Sequence, residues 1–276
     1  MAKRIVSLLL ACLTMGAGLA QADPEADLAG LVKHYKDRLP DLKPQDYIFG
    51  ALAYNKDSME QYLSIMDFPP YLNDMDKAKA LWNKPFKNGK TFGDCFPNKG
   101  KNVAGDYPMF DDASGKVVTF ENAINSCLKA NGETEYDYGD MKTMGLVTAY
   151  AKSLSDGSKV NVKVQGKGAL EAYEKGKTFF YSRRGQLNFS CATCHVDNVG
   201  KSIRSDALSP TIGQTSHWPE FRSGTEPTTL QTRFRQCNIQ VRSAPLPQNS
   251  EEYNNLEYFL SYMSNGLPMQ TPVFRK

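Results

Sequence analysis

The segment Cys191-Ala192-Thr193-Cys194-His195 limits what this chain can fold around more than any other stretch of it. Two thiols two residues apart match the spacing of the haem vinyl groups, and the histidine that follows at once falls under the iron. A zinc site would need a second pair of ligands, and the remaining histidines, His34 and His217, stand in no partner motif. A thioredoxin-like dithiol would need a strand before it and a helix after it, whereas VDNVGKSIRSDALSP after His195 reads as loop. The expectation is one covalently attached haem c, tethered by Cys191 and Cys194, with His195 as proximal ligand.

Residues 1–22 have the anatomy of a secretory signal: Lys3 and Arg4, an apolar stretch from Ile5 to Leu13, and Ala20-Gln21-Ala22 for cleavage. Leu9-Leu10-Ala11-Cys12 could alternatively be a lipoprotein box, with a short apolar core before it. Export puts the remaining cysteines where disulfides persist. Of the six cysteines in the chain, removal of Cys12 leaves Cys95, Cys127, Cys191, Cys194 and Cys237, an odd number, so one thiol has another task. Lys3 and Arg4 leave with the leader, and the rest is close to neutral, which gives no basic footprint for nucleic acid. Beyond the leader no apolar run approaches the roughly 18–20 residues of a membrane span.

Gly168 to Phe180 places Leu170, Tyr173, Gly176 and Phe180 on one helical stripe, and Glu251 to Ser264 does the same with Leu256, Phe259, Leu260 and Met263. A helix, a haem loop and a closing helix make a small cytochrome c plan, and the plan recurs. Gly89-Lys90-Thr91-Phe92 returns as Gly176-Lys177-Thr178-Phe179, and Ala149 to Gly157 echoes Tyr258 to Gly266. The expected fold is all-α, with two tandem cytochrome c-like domains at 23–160 and 161–276, joined through the polar stretch from Ser155 to Gly168. The first domain has no C-x-x-C-H and is expected to hold no haem but a Cys95–Cys127 disulfide, two buried free thiols being the alternative. Such a bridge, closing a loop of about 32 residues, would contribute roughly 3–4 kcal/mol in the chain-entropy model.

The sixth iron ligand decides the chemistry. Met263 aligns with the core position Leu154, and Met269 lies just past the closing helix. Cys237 is the stronger candidate, in Arg233-Phe-Arg-Gln-Cys237-Asn-Ile-Gln-Val-Arg242. If that stretch is helical, Arg233 shares its face one turn before and Arg242 follows about one and a half turns after. Guanidinium groups there would favour a thiolate and clamp an oxyanion. The plainer reading is a core cysteine on a helix with solvated arginines.

The leader, the single C-x-x-C-H in the second half, Cys95-Phe-Pro-Asn98, Arg-x-x-x-Cys-x-x-x-x-Arg around Cys237, and Trp218-Pro219-Glu220-Phe221-Arg222 together resemble the SoxA family, haem subunits of thiosulfate-oxidising SoxAX complexes. The resemblance spans nearly the whole mature chain and is to its single-haem group, in which a disulfide replaces a second haem. It implies a periplasmic L-cysteine S-thiosulfotransferase subunit that conjugates thiosulfate to a cysteine of the SoxY carrier (as SoxYZ). Electrons would leave through the haem of SoxX, the heterodimer partner, to cytochrome c. It implies Cys237 as distal ligand and catalytic residue, often a persulfide, with Arg233 orienting thiosulfate and Arg242 near the site. The competing expectations are an exported electron-transfer cytochrome c with Met269 as axial ligand, and a haem-based binding module.

His217 is expected on a loop near a haem propionate and His34 on the surface. Lys163, Lys167, Lys175 and Lys177 are expected to form a solvated face.

Overall fold

The structure, a computed structural model, describes residues 23–204, 206–222 and 226–275. The leader reading at residues 1–22 lies outside the described residues. Eight α-helices carry the architecture among those described: α1 (Pro24–Arg38), α2 (Lys56–Asp67), α3 (Leu72–Asn83), α4 (Phe120–Ala130), α5 (Leu146–Ser153), α6 (Lys167–Tyr181), α7 (Leu230–Gln240) and α8 (Glu251–Tyr262). None is long and apolar enough to cross a membrane.

The strands are two or three residues long. A hairpin joins β1 (Met109–Asp111) to β2 (Lys116–Val118), and a second joins β3 (Ser202–Ile203) to β4 (Asp206–Ala207). β5 (Glu220–Phe221) pairs antiparallel with β6 (Pro227–Thr228) and parallel with β7 (Val273–Phe274). Helices therefore form the layers as expected, and the short ladders serve as corners that an all-α reading omits.

The helical spacing survives with one shift. α6 buries Ala169, Ala172, Tyr173, Gly176 and Phe180, so Ala169 takes the inward place expected of Leu170, which is half-buried. That face meets α8, whose Tyr253 to Ser261 are buried all round, as befits a helix at the centre of the molecule. Gly176 permits the closeness, because a Cβ there would lie 2.0 Å from the Asn255 carbonyl oxygen.

The internal echo is deeper in three dimensions than in the sequence. α3 packs on α5 as α6 packs on α8. Ahead of α4 stands the β1–β2 hairpin, and ahead of α7 the β5–β6 pair. Thr119 caps α4 by accepting the Asn122 N–H, and Thr229, 110 residues later, caps α7 by accepting the Thr232 N–H. Cys127 and Cys237 then sit at the same place in their helices. Gly132 and Arg242, both left-handed with φ of 72° and 57°, close them. Cys127 is joined to Cys95 with a Cα–Cα distance of 5.7 Å, whereas Cys237 is a free thiol.

The packing does not divide the chain at residue 160. One hydrophobic cluster runs through both halves, from Trp82, Phe92 and Phe120 to Tyr173, Phe180 and Phe259. The stretch from Ser155 to Gly168 is stitched in place: Val160 exchanges backbone hydrogen bonds with Leu267 and Gly266, the Asn161 N–H donates to Gly105, and Asn265 holds both backbone groups of Val162. Residues 23–54 lie against the C-x-x-C-H half, with Tyr173 and Lys177 of α6 both bonded to Asp27 of α1 at 2.9 and 2.8 Å. These ties join residues about 150 positions apart, which sequence spacing does not reveal.

Candidate haem and thiol site

Ser190 starts the motif as a helix cap. Its N–H donates to Thr193 Oγ1 and the Thr193 N–H donates back to Ser190 Oγ, both at 3.1 Å. The turn continues as a single wide π-type turn over Thr193–Asp197, which carries Cys194 and His195. Its backbone is pinned from far away. The His195 carbonyl accepts Tyr35 Oη at 2.6 Å and Thr211 Oγ1 at 3.2 Å, and the Val196 carbonyl lies 3.2 Å from His34 Nε2. His34 is thus half-buried against the motif and not the surface residue expected of it.

His195 Nδ1 lies 2.9 Å from the Ser209 carbonyl. Donation of an Nδ1 proton to that oxygen leaves Nε2 with a bare lone pair, the state an iron ligand needs. Burial lowers the pKa of His195, the Ser209 carbonyl opposes it, and the Arg233 charge lowers it further, so the ring is neutral at pH 7. The Gln214 terminal amide reaches the same nitrogen, its Nε2 position 2.6 Å from Nδ1 and 3.0 Å from Ser209 Oγ.

Cys191, Cys194 and Cys237 are free and half-buried. Burial pushes the Cys191 thiol up to about 12, with the Arg184 guanidinium opposing and charge on Cys237 adding to it. Burial followed by Cys237 likewise raises Cys194. The third sulfur therefore stands within electrostatic reach of both tethering thiols. α7 brings it there: backbone bonds from Gln186 to Arg242 and from Leu187 to Val241, each 3.3 Å, tie the end of that helix to the loop ahead of the motif. The donor set fits a covalently held haem, with two thiols for the vinyl groups and an imidazole oriented by its other nitrogen, and a further free thiol lies on the helix tied to the loop ahead of them.

Arg233 and Cys237 share α7 one turn apart, as the spacing predicts. Arg233 Nη1 contacts Gln236 Oε1 at 3.4 Å, and among the described residues no carboxylate pairs with it. Arg242 departs from expectation. α7 ends at Gln240, and Arg242 follows in the left-handed conformation with its side chain exposed, so it does not continue the helical face.

Met269 is 4% exposed and its backbone is bonded to Gly157 and Ser158, beside Tyr107, Lys152 and Glu257 at the seam between the halves. Met269 and the fully buried Met263 both belong to the hydrophobic core cluster. His217 is buried, 3.4 Å from Glu220 Oε2, beside Arg222, and its pKa is driven well down by burial and then by Arg275. Lys175 and Lys177 are paired with Glu251 and Asp27, so the lysine run is only partly a solvated face.

Tyr35, Ser209, Thr211, Gln214 and Arg184 were invisible to motif reading. Tyr35 stands 160 residues from the carbonyl it holds, and no local pattern marks such a pair.

Fold and site together define a cytochrome c-type protein with a third free, half-buried thiol besides the two of its haem motif. The SoxA/TsdA cytochrome c domain family matches residues 77–160. The chain is 44% identical to the L-cysteine S-thiosulfotransferase subunit SoxA of Chlorobaculum tepidum, over 93% of this chain and 89% of that protein. It is 39% identical to the subunit of the same name from Allochromatium vinosum, over 99% and 98%. The crystal structure of SoxXA from P. pantotrophus superposes with a TM-score of 0.71 at 29% identity, covering 79% of this chain and 84% of that one. The chain belongs to the SoxA family and has its mostly helical, cytochrome c-like fold.

Proposed function

We propose that this chain is the haem subunit of a periplasmic L-cysteine S-thiosulfotransferase, exported by residues 1–22, paired with a SoxX cytochrome and acting on the SoxYZ carrier. The observation that supports the reading is that Cys237 is the one free thiol outside the C-x-x-C-H among the described residues, on a helix whose end is bonded to the loop ahead of that motif. Near-full-length likeness to proteins named for this activity supports it. One haem c would be held by Cys191 and Cys194, with His195 and Cys237 as the residues that would ligate its iron. The first half would hold none, since its cysteine equivalent to Cys237 is consumed in the Cys95–Cys127 bond.

Thiosulfate has a nucleophilic terminal sulfur, so joining it to a thiolate requires removal of two electrons. Cys237 thiolate and thiosulfate together form a cysteine S-thiosulfonate with release of two electrons. Exchange with the carrier thiolate then moves the sulfonated sulfur to the carrier and regenerates Cys237 thiolate. A haem held here would supply a one-electron acceptor, and the second electron would require another, which a partner cytochrome would provide. Arg233, paired with no carboxylate among the described residues, would offer a bidentate clamp for the sulfonate oxygens. Arg242, exposed just past the end of α7, would be free to meet the carrier.

Replacement of Cys237 by alanine tests this in the complex. Loss of thiosulfate conjugation to the carrier, with loss of a narrow thiolate-type low-spin signal in low-temperature electron paramagnetic resonance, is expected. Full conjugating activity in Cys237→Ala would overturn it.

A further inference from the structure

We infer that Gln214 is a positioning residue for His195, setting the electron donation of that ring and hence the potential of the iron it would hold. The inference rests on the proposal that His195 is the proximal ligand. Imidazole has one proton to place between two nitrogens. If Nε2 is to bind a metal, the proton stands on Nδ1, where the Ser209 carbonyl at 2.9 Å accepts it. The Gln214 amide position 2.6 Å from Nδ1 then cannot be an NH₂ group, because two N–H donors would face each other. In the ligating tautomer the amide presents its oxygen there, and the Ser209 hydroxyl, 3.0 Å from the same position, donates to that oxygen. The Nδ1 proton is thereby shared between two acceptors.

The surroundings leave Gln214 little choice. It directly follows Gly213, which is left-handed at φ 84°, ψ −8°, and whose Cβ would lie 2.3 Å from the Tyr47 carbonyl oxygen. The Gly213 N–H is held by Ser264 Oγ at 3.1 Å. The backbone before Gln214 is thus fixed by the turn just past α8 on one side and the Tyr47 segment on the other. Two acceptors on Nδ1 give the ring imidazolate character and favour the ferric state, the same direction in which an anionic sulfur ligand acts.

The test is the midpoint potential of the purified haem-loaded complex, with its low-spin resonance spectrum, for Gln214→Glu and Gln214→Leu. A carboxylate accepts the Nδ1 proton more strongly and is expected to lower the potential. Leucine leaves only the Ser209 carbonyl and is expected to raise it. Shifts of opposite sign are not produced by mere packing damage, which would move both variants alike. Potentials unchanged, or shifted the same way in both, would overturn the inference. Replacement of His195 by alanine separates it from the reading beneath: if the parent low-spin spectrum survives that change, the ligand assignment itself fails.

Discussion

At the site, two arginines of similar spacing from Cys237 have different fates. Arg233 keeps its guanidinium unpaired by any carboxylate among the described residues and close enough to act on His195. Arg242 is turned out by the left-handed end of α7. The difference predicts an asymmetric response in steady-state kinetics against thiosulfate. Arg233→Ala is expected to raise KM about tenfold or more, from a charged hydrogen-bonding group of roughly 1.5–3 kcal/mol, while Arg233→Lys retains charge without the fork and falls between. A KM unchanged in Arg233→Ala would remove that residue from the site. The C-x-x-C-H and the position of Arg233 were legible in the sequence because both are local. The partners of His195 were not, since Tyr35 and Gln214 are joined to it only by folding.

At the level of elements, close approach of α6 to α8 governs how the haem loop is mounted. Ala favours a helix interior over Gly by about 1 kcal/mol. That gain holds at Gly30 of α1, where a Cβ meets nothing within 4 Å. At Gly176 a Cβ would lie 2.0 Å from the Asn255 carbonyl oxygen, a backbone atom that no rotamer change can move. The two helices would have to separate, at a cost of about 1–3 kcal/mol or more. Thermal unfolding should therefore show Gly30→Ala at or above the parent and Gly176→Ala clearly below it. The recurrence of Gly-Lys-Thr-Phe flagged Gly176 in the sequence, but the partner it approaches was not written beside it. The 110-residue correspondence of the capped helices was likewise obscured, because Thr119 and Thr229 share their role and almost nothing else around them.

Across the molecule, the seam between the halves carries buried polar and charged side chains. Glu121 of α4 and Gln231 of α7 occupy the same place in their helices, and between them lie Glu257 of α8 and Lys152 of α5. Burial, then the neighbouring Glu121 charge, pushes Glu257 up to about 7, with Lys152 and the Gln231 amide opposing. A carboxyl whose folded pKa lies above its unfolded value binds more protons when folded. Its contribution to stability is therefore present at low pH and lost as pH rises through the window between the unfolded value near 4.5 and about 7. Denaturant titrations should show this loss, of the order of 1–3 kcal/mol, and Glu257→Gln should flatten the slope. An identical slope in the variant would place the titration elsewhere.

The sequence by itself determined the haem motif, the helix that leads into it, the helix that closes over it and the facing pair of Arg233 and Cys237, because each is set by spacing within a few turns of one segment. Tertiary structure alone decided that α1 is bonded to α6 and to the haem loop, that Met269 is buried in the core, that Arg242 leaves the helix, and that Gln214 meets His195. Each of these depends on which surfaces are left open when the two halves close on a single core, and that outcome belongs to the whole chain at once.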